Sequence, residues 1–157
     1  MKKALPFFIS IIILVLAGAG VYWKLQSRII DTTPNWSKPL EYFGNELEKK
    51  DLINLTTPRG NEVIKSPLTI KGQARGNWFF EGSFPVILTD WDGLIIAQGI
   101  ATAEGEWTTT EFVPFSATLE FKAPAFKNNG NLILKKDNPS GLSKNDDALE
   151  IPILFAQ

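Results

Sequence analysis

From Asp51 onward the chain is a series of short apolar or alternating runs broken by turn signals, a texture that predicts strands rather than helices. "SATLEF" sets Ala117, Leu119 and Phe121 on one face and Ser116, Thr118 and Glu120 on the other. "LEIPILF" does the same with Leu149, Ile151, Ile153 and Phe155 inward. "PLTIKGQA" offers Leu68 and Ile70 to a core, with Thr69 and Lys71 outward, whereas "FPVILTD" is apolar on both sides and predicts a central strand. Between the runs lie "TPRGNE", "DWDG", "AEGE", "KNNGN" and "DNPSG". Asp92-Gly93 and Asn129-Gly130 are the strongest tight-turn signals among them. About seven strands in roughly a hundred residues, with no helical period among them, predict an all-β antiparallel sandwich over residues 51–157. Pro152 has no N–H for a ladder, so the last strand is expected at an edge or a bulge.

Ahead of this region the pattern differs. Residues 24–50 are polar, carry Pro34 and Pro39 and lack a two-residue period, as in a stalk; Ser37, Pro39, Leu40, Phe43 and Leu47 allow one short helix within it. Residues 4–23 are an uncharged apolar run behind Lys2 and Lys3, long enough to span a bilayer as a helix. The lysines favour a cytoplasmic N-terminus, and Tyr22 and Trp23 suit the far interface. Residues 1–23 are therefore expected to anchor the chain in the cell membrane as a single pass, with the rest exported. The alternative is a cleaved signal peptide, because Ala17, Gly18 and Ala19 close the run with small residues.

Composition narrows the chemistry. The chain has no histidine and no cysteine, which excludes Ser-His-Asp triads, cysteine nucleophiles, His-ligated zinc and disulfides together. The net charge is −1 with acidic and basic residues interspersed, so nucleic acid is not an expected partner, and no pattern calls for a cofactor.

The densest candidate for function is "GQARGNWFFEGSF", residues 72–84, where Trp78, Phe79 and Phe80 stand in a row between glycines with Arg75 and Glu81 outside them. In an extended chain Trp78 and Phe80 share one face and Phe79 takes the other, so one ring must meet solvent, a second layer or a partner. Aromatic and Arg side chains dominate recognition surfaces, which makes this stretch the first candidate binding patch; Arg75 and Glu81 are placed to pair across the bend. Its blander reading is core at a glycine-made bend. Asp137 and Asn138 in "DNPSG" form a second candidate region. Asp90, Asp92, Asp137, Asp146 and Asp147 supply the oxygens of a calcium loop but not the spacing of one, and turn chemistry accounts for them. A glycan hydrolase needs carboxylates facing across a cleft, for instance Glu81 with Asp137.

The order of these pieces is more specific than any one of them. "SPLTIKGQARGNWFFEGSFPV", "TEFVPFSA" and "KDNPSG" in succession resemble the Gmad-type immunoglobulin-like domain of bacterial spore germination and other envelope proteins, over roughly residues 52–156. The resemblance implies an immunoglobulin-like sandwich at the cell surface, usually non-catalytic, and brings no catalytic residues. The expected function is a membrane-anchored, extracytoplasmic module that recognises an envelope protein or a cell-wall polymer; the alternatives are a cell-wall glycan hydrolase and a structural spacer.

Overall fold

Strands account for nearly all of the regular structure among the described residues because the period-two runs dominate their sequence. The computed structural model describes residues 44–156, in which a single helical turn, α1 (Glu46–Lys49), precedes β1 (Ile53–Thr57), β2 (Val63–Ile64), β3 (Leu68–Arg75) and β4 (Ser83–Asp90). After these come β5 (Ile95–Ala103), β6 (Phe112–Leu119), β7 (Asn129–Lys135) and β8 (Ala148–Phe155). The order across the sheet is β1-β3-β6-β5-β4-β7-β8-β2, antiparallel throughout except where β2 runs parallel to β8. The apolar run of β4 lies between β5 and β7, the central place its composition requires.

Two separate sheets were expected; the hydrogen bonding is instead continuous. β3 and β6 pair from Leu68↔Leu119 to Arg75↔Phe112, whereas β5 and β6 share only Thr102↔Ser116 and Ala103↔Phe115. That short seam is where the sheet turns over on itself. The curl brings Phe84 of β4 within 4.9 Å, ring to ring, of Phe115 on β6, and Phe121, just past β6, within 5.6 Å of Phe155 on β8. A layered core results, filled by the alternate residues that the sequence pattern assigns to it. Ile70, Phe84, Val86, Leu88, Leu149 and Ile151 are wholly buried, each contributing about 1.5–3 kcal/mol of transfer free energy.

The outer rim of β8 is covered along its length. Alternate residues of a strand send their N–H and C=O the same way. The Glu150 N–H goes to the Asn45 side chain and the Leu154 N–H to the Glu62 carbonyl; Pro152, between them, needs no acceptor, and its own carbonyl receives the Asn61 N–H. Pro152 thus sits on the ladder's outward side, as a residue without a donor must.

Two local expectations are corrected. Asn129-Gly130 opens β7 instead of forming a turn: Gly130 faces Asp90 on one side and Ile153 on the other, and a side chain there would strike the Thr89 carbonyl and approach the Phe155 ring within 2.8 Å. The glycine answers to close packing, and the chain reverses in the preceding residues, where Lys127 takes a φ of 58°. Asp92-Gly93 is a turn, with Gly93 at φ 81° and the Asp90 carboxylate accepting the N–H groups of Asp92 and Leu94. The short helix expected over Ser37–Leu47 lies outside the described residues but for its last positions; in α1 Leu47 faces solvent, and the turn is held by Asn45 and by the Lys49–Asp147 ion pair at 2.6 Å. α1 lies against both β8 and β1.

The membrane segment expected at 4–23, and the stalk up to residue 43, lie outside the described residues. Among the described residues no helix is long and apolar enough to cross a membrane.

Candidate functional site

β3 ends where Gly76 begins a 3₁₀ turn, Gly76–Trp78, and this turn decides the fate of the aromatic triplet. The extended geometry expected for residues 78–80 does not form. Trp78, closing the 3₁₀ turn, and Phe79, extended after it, both tuck inward at 1% and 5% exposure, and Phe80 is the ring left outside at 40%. Phe79 packs on Phe84 with centroids 5.3 Å apart, and Phe84 on Phe115, so a row of rings runs from the site into the core. The Trp78 indole N–H is buried and has no hydrogen-bond partner among the described residues.

Arg75 does not pair with Glu81. Its Nε donates to the Asp51 carbonyl and its Nη1 to the Thr110 carbonyl, both at 3.1 Å; its guanidinium sits 4.1 Å from the centre of the Phe112 ring and 3.6 Å from the Glu111 carboxylate. The arginine ties the segment leading into β1 and the 107–110 loop to the end of β3. Glu81 and Gly82, at φ 50° and 74°, are the central residues of a tight turn in which Phe80 and Ser83 exchange backbone hydrogen bonds of 3.0 and 3.1 Å. Two positive φ values in a row match the twist of a two-residue hairpin.

The second candidate region meets the first through the Asp137 N–H, which donates to the Trp78 carbonyl at 3.1 Å. Asn138 turns inward on its own loop: its amide donates to the Leu142 carbonyl and to Asp146, and its Oδ1 accepts the Ser140 N–H and hydroxyl. Arg75, Trp78, Phe79, Phe80, Glu81 and Asp137 are therefore gathered at one end of the sheet, with Asn138 bracing the loop behind Asp137. Among the described residues no three acidic side chains gather at a point where a metal ion would sit.

Sequence reasoning missed the other half of this end. A hollow of about 450 Å³, open along much of its rim, lies between Gly76, Asn77 and Phe79 on one side and residues 107–110 on the other. A side chain at Gly76 would collide with the carbonyl oxygens of Trp107 and Thr109, so only glycine lets the two segments cross. A Cβ at Gly82 would come within 3.3 Å of the half-buried Trp107 indole. The Thr108 N–H and hydroxyl both donate to Glu106, which holds that carboxyl below its ordinary 4.5. Trp107 followed by Thr108, Thr109 and Thr110 has no period and no turn motif of its own; its one legible signal was a tryptophan among loop residues.

The family described as Gmad2, immunoglobulin-like domain of bacterial spore germination, matches residues 52–143. The chain belongs to this family. The match takes the Gmad2 domain from the start of β1 through the "DNPSG" loop, so it contains both walls of the hollow, and β8 follows it. No curated protein and no solved structure matches the chain. An immunoglobulin-like Gmad2 domain points to a non-catalytic binding or structural module. A fold of this kind carries its function in surface sites.

Proposed function

We propose that the chain is a non-catalytic binding module of the bacterial cell envelope, held at the membrane by residues 4–23 and exposing its Gmad2 domain outside the cytoplasm. Its partner is an envelope protein or a cell-wall polymer, met at the end of the sheet that carries Phe80 and Trp107.

One observation supports this most. Phe80 is 40% exposed at the start of the tight turn whose Gly82 lies against the half-buried Trp107, and Trp107 lines a hollow whose scaffold is fixed by the Arg75 contacts and by rings running into the core. Exposed aromatics on a rigid base lose little entropy on binding, which is the character of an interface hot spot. The membrane-facing part of the proposal rests on the uncharged 4–23 run behind two lysines.

The test is site-specific photocrosslinking of the full chain in native envelopes, with the probe placed at Phe80 or, as control, at the exposed Leu47 of α1. The reading expects an adduct from position 80 that position 47 does not give. Equal labelling from the two, or none, would remove this end of the sheet as a binding surface.

A further inference from the structure

The hollow's lining names a ligand class. We propose that it takes a neutral β-1,4-linked polysaccharide chain, one pyranose face lying on the Trp107 indole and the sugar hydroxyls meeting Asn77 and the Thr108–Thr110 hydroxyl row. This rests on the reading of the domain as a binding module and specifies what that module holds.

Three features carry the inference. The first is what the lining offers: two aromatic side chains, Phe79 and Trp107, beside one amide and three hydroxyls. That is the mixture required by a ligand whose faces are rows of C–H bonds and whose edges are hydroxyls, an apolar floor with a few convergent polar groups. The second is what the lining lacks. Among the described residues no charged side chain lines the hollow. The nearest arginine, Arg75, already serves the Asp51 and Thr110 carbonyls, the Phe112 ring and Glu111. A phosphate-rich polymer or an acidic peptide would need free cations at this place. The hydroxyls of Thr108 and Thr110 are already turned toward Glu106 and Glu111, which leaves their oxygens as acceptors for a ligand's O–H groups.

The third feature is shape. At about 450 Å³ the hollow falls within the range of about 300–1,000 Å³ typical of ligand sites, but it is broad and open. A β-1,4-linked chain is extended and presents flat faces, so it can lie across such a surface and continue beyond it at both ends. A compact small molecule would leave most of its own surface in water there.

The experiment uses the full chain, isotopically labelled in detergent micelles, titrated with the β-1,4-linked tetramers of N-acetylglucosamine and of glucose while amide and indole N–H signals are followed. Expected are shifts concentrated at the Trp107 indole and at the amides of Asn77, Thr108, Thr109 and Thr110. Trp107→Ala should weaken binding at least about tenfold, Trp107→Phe should restore part of it, and Trp91→Ala, at the far end of β4, should leave it unchanged. Asn77→Ala alters an exposed side chain and so keeps the test alive if Trp107→Ala does not fold; it too should weaken binding. Silence of the hollow's signals with both sugars, shifts that centre elsewhere, or equal affinity in the folded Trp107 and Asn77 variants would overturn the proposal. If position 80 still crosslinks to an envelope protein while neither sugar binds, the glycan assignment falls and the binding-module reading stands.

Discussion

Glu81 holds a left-handed backbone conformation at φ 50° that costs a residue with a side chain about 1–2 kcal/mol. Asparagine tolerates this region and is favoured at that place in a two-residue hairpin. Glu81→Asn is therefore expected to raise stability by about 0.5–1 kcal/mol, read as a higher denaturant midpoint at unchanged slope. Glu106 makes a pH-dependent contribution of determinate sign. The Thr108 hydrogen bonds favour the carboxylate, so its folded pKa lies below the ordinary 4.5. The stabilisation is thus complete above 4.5 and disappears as the pH falls through the lower, folded value. The Thr108 amide signal should titrate with a midpoint under 4.5, and Glu106→Gln should abolish that titration. Little of this was legible beforehand. Extended alternation, with Trp78 and Phe80 on one face and Phe79 on the other, was the expectation for the triplet; that Trp78 and Phe79 go in and Phe80 stays out depended on a 3₁₀ turn, which a run of three aromatics does not announce. The partners of Arg75 were beyond reach for another reason. A long side chain chooses among groups that only the finished fold assembles, here the carbonyls of Asp51 and Thr110, 24 and 35 positions away.

Among the elements, the strands were the legible part. Leu149, Ile151, Ile153 and Phe155 alternate inward in β8 because burial on one face imposes a two-residue period on the sequence. What joins the strands left weaker traces. The β5–β6 seam rests on two residue pairs, too short a pairing to mark the sequence. Gly130 followed turn chemistry on paper and close packing in the molecule. Gly76 bears on the candidate site directly, since it allows the 3₁₀ turn and the 107–110 loop to touch backbone to backbone. Gly76→Ala is expected to cost about 1–3 kcal/mol, as overpacking does. The chemical shifts of Trp107 and Thr109 should move with it, whereas those of residues in β8 should stay in place. A substitution that left Trp107 and Thr109 undisturbed would show that the two segments are held together by something else.

At the scale of the whole molecule, one core serves both faces of the curl, and Phe84 stands at its middle, wholly buried between Phe79 and Phe115. Phe84→Ala is expected to cost about 3–5 kcal/mol, with circular dichroism and tryptophan fluorescence reporting the same transition. Non-coincident curves would mean that the site end and the remainder of the sheet unfold separately. β1, at one extreme of the sheet, and β8, the strand next to the other, are both touched by α1, while Asn45 bonds to Ala148 and Glu150. This arrangement governs how the domain bears tension. A pull on the chain ahead of Gly44 arrives at Asn45 before it reaches any strand, and there it meets three hydrogen bonds to the rim of β8, followed by the ion pair of Lys49. Those contacts can give way one after another while the ladders behind them stay intact. A pull from that side would thus open α1 first and free a few residues of chain before the sheet itself is strained.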